Sequence, residues 1–131
     1  MYWKLEDKSN FYPTLVEMWK SHNFPVMPIN RVANRIFTMY SNEGVILYAV
    51  QVYITDSTMC QLSFPTSNKQ ASSEDKRGAL ENLIEIIQVC MKYEGYDLIY
   101  TTSAHPKIIK ILNEKGFYTG DENVTYYSKP L

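Results

Sequence analysis

The sequence has no long apolar run, few cysteines and almost no net charge, and each absence excludes a class of protein. No stretch of about 18 consecutive apolar residues occurs, so no transmembrane helix is expected. The N-terminal segment MYWKLEDKSN carries charges where a signal peptide needs an apolar core, which predicts a soluble, cytoplasmic protein. Thirteen basic and fourteen acidic side chains give a formal net charge of -1, so no overall field attracts nucleic acid or an anionic membrane.

The two cysteines, Cys60 and Cys90, lack the CxxC spacing of metal and redox sites. Both lie in apolar segments and are predicted to be small buried side chains with free thiols, as is usual in a reducing compartment. A disulfide between them is the less favoured alternative. No metal-ligand cluster surrounds either cysteine, and no metal is expected.

What the sequence does contain is the composition of one ordinary folded domain with a surplus of tyrosine. Its 131 residues suit a single domain over 1–131, since compact domains usually have about 100–150 residues. The hydrophobic fraction of 45% and the charged fraction of 21% exclude a disordered chain. Eleven tyrosines indicate either stacking platforms for nucleic-acid bases or β-strands, and the missing basic excess favours strands.

Hydrophobic periodicity and turn residues predict an α+β order of strand, helix, three-stranded antiparallel meander, long helix, strand, helix and hairpin. The first half is predicted to have a strand at 2–5, a helix capped by Asn10 and ending near His22, and meander strands at 36–40, 45–54 and 59–64, the last of which is stopped by Pro65. A polar loop at 66–75 then leads to a helix with an apolar stripe at Leu80, Leu83, Ile84, Ile87 and Met91. The remaining segments are a strand at 97–102, a helix from Pro106 to Gly116 and a hairpin around 120–123.

The polar segment 72–80 (SSEDKRGAL) has the features of an anion site at the start of the long helix. A helix N-terminus offers unpaired N–H groups and the positive end of a dipole, Gly78 lets a ligand approach the backbone, and Lys76 and Arg77 add two cations. On spacing alone, the favoured alternative is an ordinary helix capped by Ser72, Ser73 or Asp75, because one glycine falls short of a full phosphate loop.

The predicted elements of the second half of the chain follow one another in a specific order. They are the third meander strand, the polar loop, the RGA helix start at 77–79, the long apolar helix, the next strand and a short helix ending in KGF at 115–117. This order resembles the GNAT superfamily of acyl-CoA-dependent N-acyltransferases over nearly the whole chain. The segments 19–25 (WKSHNFP), 53–57 (YITDS) and 115–117 resemble, more narrowly, a compact group associated with tailed phages and prophages.

The resemblance implies a mixed α/β fold with a central, mostly antiparallel twisted sheet, helices on both faces and splayed central strands. It implies acetyl-CoA as co-substrate, with the pantetheine arm between the third meander strand, at Leu62, Ser63 and Phe64, and the strand at 99–102. A phage-encoded protein of this kind would work in the host-cell cytoplasm.

The resemblance also implies a place for the diphosphate, although the loop departs from the family pattern Gln/Arg-x-x-Gly-x-Gly/Ala. Asp75 stands at the basic or amide position and Leu80 at the last small position. Cations and backbone amides remain available for the charge-assisted binding of the diphosphate. The residues that supply them are Lys76, Arg77, Gly78 and Ala79.

The catalytic positions depart further from the family. The last helix of GNAT proteins often has Asn-x-x-Ala-x-x-Leu-Tyr, with Tyr as the acid that protonates the departing thiolate. Here His105 aligns with Asn, Ile108 with Ala and Leu112 with Tyr, and leucine cannot donate a proton. Gln61 is the only amide or acid on the third meander strand, so no carboxylate base is evident and the catalytic residues are not assigned.

Four other side chains could handle protons. His105 is predicted either to cap the last helix or to contact the amide arm of the cofactor. His22 ends the first helix, which in GNAT folds borders the acceptor side, and a dipole-stabilised cation explains it equally well. Tyr48 and Tyr53 could protonate a thiolate if they face the cleft, although packing in the sheet is favoured for both.

Two functions follow from these observations. The first is an N-acetyltransferase that moves acetyl from acetyl-CoA to an unidentified amine or protein acceptor, with direct attack that depends mainly on positioning. The second is a catalytically silent or virion-associated protein that uses the same fold for protein contacts, which the departures at Asp75, Leu80 and Leu112 favour. The oligomeric state is not predicted.

Overall fold

The structure is a computed structural model that describes all 131 residues. Its elements are β1 (Tyr2–Glu6), α1 (Lys8–Ser21), a 3-10 helix (Ile29–Arg31), β2 (Arg35–Tyr40), β3 (Ile46–Ile54), β4 (Met59–Ser67), α2 (Ser73–Lys76), α3 (Ala79–Tyr93), β5 (Leu98–Tyr100) and α4 (Pro106–Glu114). None of these helices combines the length and the apolar character that crossing a membrane requires.

The five strands form one sheet in chain order, β1-β2-β3-β4-β5. The first four strands pair antiparallel, and β5 pairs parallel to β4 because α3 carries the chain back across the sheet. The parallel ladder has only three pairs, from Met59↔Leu98 to Gln61↔Tyr100, while β4 continues to Ser67. The mixed, mostly antiparallel sheet is therefore confirmed, and β4 extends beyond its short ladder with β5, which lies at the edge of the sheet.

Helices cover both faces of the sheet, because successive side chains of a strand point to opposite faces. Ile36 packs with α1 in one cluster of buried side chains, whereas the neighbouring Phe37 packs with α3 and α4 in the other. The α3 side chains in that second cluster are Ala79 and the stripe predicted from the sequence, Leu80, Leu83, Ile84, Ile87 and Met91. The two layers hold the edges of the cleft described below in fixed positions.

The prediction that the third meander strand stops at Pro65 is wrong, because β4 passes through a bulge and continues to Ser67. Ala49 pairs with Thr66 and Gln51 with Ser63, so Phe64 and Pro65 together stand opposite a single residue of β3. Phe64 takes a φ of 52°, and Pro65 needs no N–H because the ladder is interrupted there. The bulge follows the last β4–β5 pair, Gln61↔Tyr100, and a bulge of this kind bends the strand that carries it.

The predicted start of the first helix is also wrong. The N-cap is Asp7, whose Oδ2 accepts a hydrogen bond from the Asn10 N–H at 3.1 Å. An N-cap side chain accepts a hydrogen bond from the N–H group two or three residues further along the helix. Asn10 therefore lies inside the first turn and is not the cap. The helix ends with Ser21, and His22 follows it as the C-cap.

The segment 72–80 forms two helices where the sequence predicted one. Ser72 caps the short α2, accepting a hydrogen bond from the Asp75 N–H at 3.0 Å. The chain then leaves the helical conformation at Arg77, and Gly78 takes a φ of 73° as the N-cap of α3. A left-handed residue at this break suits glycine, because it has no Cβ to clash with the backbone.

The hairpin predicted around 120–123 is wrong, and the strand predicted at 97–102 is shorter, as β5 spans only Leu98–Tyr100. The chain beyond α4 forms no strand, and Tyr118 is 84% exposed, with Tyr126 and Tyr127 similarly open. A two-stranded hairpin is marginally stable in water unless it packs against further strands or a helix. The tyrosines of this tail are therefore not part of the sheet.

Candidate functional site

A cleft of about 640 Å³ opens where the ends of α1 and β4 approach the turn between α2 and α3 and the start of α4. Its wall includes His22 after α1, Tyr48 of β3, Ser67 of β4, Gly78 before α3 and Ile108 of α4. Clefts that hold small molecules and cofactors have volumes of about 300–1,000 Å³. The cleft is therefore large enough for a ligand of that kind.

The structure brings Lys76, Arg77, Gly78 and His105 to the wall of this cleft. These four sequence-predicted residues come from two segments that are 25 or more residues apart in the chain. Lys76, the last residue of α2, together with Arg77 and Gly78 is called the α2–α3 turn below. His105 is the N-cap of α4. The two cations of the turn thus share one cavity with a residue of the last helix.

The other four predicted residues do not line the cleft. Leu62 and Ala79 are buried in the core beside α3, Ser63 is buried, and Phe64 is 51% exposed at the bulge. Alternation along β4 points the Leu62 side chain into the core, so any contact of this strand with a ligand would come from its backbone. One such group is occupied, since the Leu62 carbonyl accepts a hydrogen bond from Thr101 Oγ1 at 2.8 Å.

The α2–α3 turn leaves backbone donors free. No side chain caps α3, so its first N–H groups have no intrahelical or side-chain acceptor. A Cβ built on Gly78 would have no atom within 4 Å, which means that the space beside this glycine is open. Free N–H groups, an open approach and two cations are features that can bind a phosphate group.

Gly78 gives a prediction with a matched control. Gly95 also has positive φ and equally open space beside its Cα, but it lies at the other end of α3. Gly78→Ala and Gly95→Ala should each lower the free energy of unfolding by about 1–2 kcal/mol, since alanine is strained in the left-handed region. Only Gly78→Ala should also weaken binding of the acetyl-CoA that the sequence resemblance implies, by about tenfold, because a methyl group at this point occupies the approach to the free N–H groups.

Thermal unfolding and calorimetric titration measure the two quantities separately. Equal losses of acetyl-CoA affinity in Gly78→Ala and Gly95→Ala would show that the anion does not bind at the α2–α3 turn.

His22 is fixed in the cleft by two contacts. Its Nε2 lies 2.8 Å from the carbonyl oxygen of Ser67 and 3.2 Å from the Ser67 Oγ. Its ring stacks on Phe24, with 4.9 Å between the ring centroids and an angle of 15° between the planes. The ring is half-buried. Ser67 fixes its orientation through Nε2, and Phe24 fixes it through the face of the ring.

Tyr48 is one of the residues that line the cleft. The residue is 9% exposed and packs in the core beside α3, and its Oη has no hydrogen-bond partner in the protein. Tyr53 differs, because it does not line the cleft and its Oη donates to the Arg31 carbonyl at 2.7 Å. Burial raises the pKa of Tyr53. Leu112, at the position of the family's acid, is buried in the core.

Other reactive groups lie outside the cleft. Cys60 and Cys90 are free, as predicted, but only Cys60 is buried and Cys90 is half-buried. Desolvation raises the pKa of both thiols. A thiol with a raised pKa is a poor nucleophile at neutral pH, and neither cysteine lines the cleft. No group of three or more His, Cys, Asp and Glu side chains is arranged to hold a metal ion.

Sequence reasoning missed several residues of the cleft wall. Lys107 adds a third cation, Phe24 and Ser67 contact His22, and Pro65 also lines the wall. The position of Lys107 directly after Pro106, in the first turn of a helix, was the one available signal. Glu81 is the only carboxylate that lines the cleft.

No protein-family model matches the sequence, and no curated protein matches it. Solved structures match its fold. AAC(6')-Iy, in complex with the bisubstrate analogue CoA-S-monomethyl-acetylneamine, is 18% identical with a TM-score of 0.68, over 98% of this chain and 98% of that chain. An aminoglycoside acetyltransferase from an uncultured soil metagenomic sample, in complex with sisomicin, is 11% identical with a TM-score of 0.67, over 99% and 95%.

A GNAT-family acetyltransferase from Staphylococcus aureus Mu50 is 12% identical with a TM-score of 0.68, over 88% of this chain and 82% of that chain. Identities this low carry information on the fold alone. The sheet order, the short ladder between β4 and β5 and the helices on both faces agree with that likeness. The chain therefore has the fold of the GNAT acetyltransferases.

Proposed function

We propose that the protein is an N-acetyltransferase that moves the acetyl group of acetyl-CoA to an amine. The observation that carries the proposal is the α2–α3 turn, where Lys76, Arg77 and the open side of Gly78 border one cleft in a GNAT fold. The likeness of segments 19–25 and 53–57 to the compact phage and prophage group is part of the same proposal.

The residues of the turn fit the diphosphate of acetyl-CoA. The amides of Gly78 and Ala79 can donate to its oxygens, while Lys76 and Arg77 supply charge-assisted contacts. The pantetheine arm would then follow the backbone of Phe64 and Ser63 towards Leu62, beyond the last β4–β5 pair, and it would have to share the Leu62 carbonyl with Thr101. His105 lies on the wall formed by the start of α4, in reach of the same ligand.

We assign the role of proton donor to Tyr48. The amine forms a bond to the thioester carbon, the C–S bond breaks, and the departing thiolate needs a proton. Leu112 has none to give, whereas Tyr48 lines the cleft and its hydroxyl has no competing protein partner. A tyrosine from β3 would thus replace the one expected in the last helix, and positioned acids of this kind contribute about 10²–10⁴ to a rate.

The charge of the cleft favours an acceptor with one amino group. Some proteins of this fold were solved with an aminoglycoside such as sisomicin, which carries several ammonium groups. Binding several ammonium groups out of water requires carboxylates to pair with them, and only Glu81 lines this cleft. Phe24, stacked on His22, and Pro65 also line the cleft, which suits an amine with an apolar or aromatic body.

We therefore expect kcat/KM for an aromatic monoamine to exceed that for sisomicin by about tenfold or more, one unpaired charge being worth at least about 1.4 kcal/mol. A thiol-release assay with acetyl-CoA and both amines, at fixed ionic strength, measures the ratio. A preference for sisomicin would show that the acceptor is held by groups other than those of this cleft.

The same assay, run with a broad panel of amines, tests the proposed function itself. Thiol release that depends on both acetyl-CoA and an amine is the expected result. The specific observations that favour a silent or virion-associated protein are Leu80 and Leu112, two core residues where the family has a small residue and an acid. Acetyl-CoA binding without turnover for any amine would support that second function.

A further inference from the structure

We infer that β1 is an interaction surface on which a second copy of this chain places its own β1 as an antiparallel strand. The inference does not depend on the proposed transferase function. β1 and β5 are the two edges of the sheet, so each has backbone N–H and C=O groups along one side that pair with no other strand. Such a row of unpaired groups is a template for the strand of another chain.

The two edges of the sheet differ in length. β5 has only three residues, Leu98–Tyr100, whereas β1 has five, Tyr2–Glu6. β1 contains no proline, and its register with β2 runs from Tyr2↔Tyr40 to Glu6↔Ile36 without a bulge. Natural sheets protect their edges with very short strands, prolines and bulges. The β5 edge has the first of these protections, and the β1 edge has none of them.

β1 also has exposed apolar side chains on the α3 side of the sheet. Trp3 and Leu5 pair with Met39 and Phe37, which belong to the core cluster beside α3. The rings of Trp3 and Phe37 stack with 6.0 Å between their centroids. Even so, Trp3 is 42% exposed and Leu5 is 52% exposed. A second β1 would cover both side chains, because residues opposite each other in an antiparallel pair lie on the same face.

The charges of β1 select one alignment of the two copies. A two-fold axis at Lys4 would place this lysine opposite Lys4 of the second copy, and like charges in that position destabilise a strand pair. An axis at Leu5 instead places Lys4 of each copy opposite Glu6 of the other. An axis at Trp3 gives neither ion pair. The alignment about Leu5 therefore forms one leucine pair between two ion pairs, a self-complementary contact as a two-fold dimer requires.

Both charged side chains are available for this contact, since neither forms an ion pair within its own chain. Glu6 Oε1 accepts hydrogen bonds from Thr38 Oγ1 at 2.8 Å and from Tyr40 Oη at 2.6 Å, while its Oε2 has no partner. Lys4 Nζ lies over the Tyr40 ring, 4.9 Å from its centroid. A lysine on an edge strand ordinarily discourages pairing, but in this alignment a carboxylate faces it.

Sedimentation velocity of the full chain over a range of concentrations tests the inference. Two short strands make a small interface, so we expect a dimer with a Kd of about 1–100 μM. Leu5→Lys places two further cations opposite each other and should raise this Kd about tenfold or more. The matched control is Leu98→Lys, the same change at a leucine on the β5 edge that is 40% exposed, and it should leave the Kd within about twofold.

A charge exchange tests the alignment about Leu5. Lys4→Glu alone and Glu6→Lys alone each place like charges opposite each other, so each variant should have a dimer Kd about tenfold or more above the wild-type value. An equal mixture of the two variants should form a heterodimer with the wild-type Kd, because one strand then carries two acids and the other two bases. Recovery in the mixture also shows that both variants are folded.

Three results would overturn this inference. The first is a wild-type protein that stays monomeric at concentrations of about 100 μM, well within the range of weak interfaces, which would leave the β1 edge to a different partner. The second is equal weakening of the dimer by Leu5→Lys and Leu98→Lys. The third is a mixture of the Lys4→Glu and Glu6→Lys variants that forms no heterodimer. None of these results bears on the transferase function, which the thiol-release assay tests separately.

Discussion

Replacing both cations of the α2–α3 turn, in Lys76→Ala/Arg77→Ala, is expected to weaken acetyl-CoA binding about hundredfold at low salt. Both side chains line the cleft next to the free N–H groups of α3. A charge-assisted contact to a phosphate oxygen at a partly exposed site contributes about 1.4 kcal/mol, which is tenfold in affinity for each cation. Calorimetric titration of the variant and the wild type at two salt concentrations measures the effect.

The matched control is Lys92→Ala/Lys129→Ala, which removes two exposed cations that do not line the cleft. The control has the same change in net charge, so it should keep wild-type affinity within about twofold, as expected of distant, screened charges. The dependence of affinity on salt should become shallower in the cleft variant only. Equal affinities for the two double variants would mean that the diphosphate lies elsewhere.

Removing the hydroxyl of Tyr48, in Tyr48→Phe, is expected to lower kcat about hundredfold with little change in the Kd of acetyl-CoA. The ring remains in the core, and its Oη has no protein partner to lose, so the free energy of unfolding should change by less than about 0.5 kcal/mol. Steady-state kinetics with a saturating amine, together with thermal unfolding, separates the two effects.

Tyr53→Phe is the control, and it should lower stability without lowering kcat. This change removes the hydrogen bond from Tyr53 Oη to the Arg31 carbonyl and should cost about 1 kcal/mol of stability, while kcat stays at the wild-type value. If Tyr48→Phe retains full kcat, the proton for the thiolate comes from another group or from water, and Tyr48 is a packing residue.

Local patterns allowed much of the fold to be predicted from the sequence. The stripe that includes Leu83 and Ile87 repeats at helical spacing, so α3 and its buried face could be predicted without any knowledge of the sheet. The bulge at Phe64 and Pro65 could not, because it is a property of the pairing between β3 and β4 and proline ordinarily ends a strand. The hairpin prediction for the tail was wrong for a related reason, because turn residues alone do not supply a partner strand.

The candidate site divides in the same way. Lys76, Arg77 and Gly78 are neighbours in the chain, so their shared role could be inferred from one short segment. The contact between His22 and Ser67 joins residues 45 positions apart, and it depends on how α1 lies against the end of β4. Neither residue type carries a signal for that contact, which is why the sequence left the role of His22 open.

Titration of the wild-type protein with acetyl-CoA tests the central claim most directly, because every proposed role depends on this ligand in this cleft. The account predicts saturable binding at one site with a Kd below about 1 mM, as is usual for enzyme substrates, and competition by CoA. Affinity should fall in Lys76→Ala/Arg77→Ala. No measurable binding at millimolar acetyl-CoA would contradict the account.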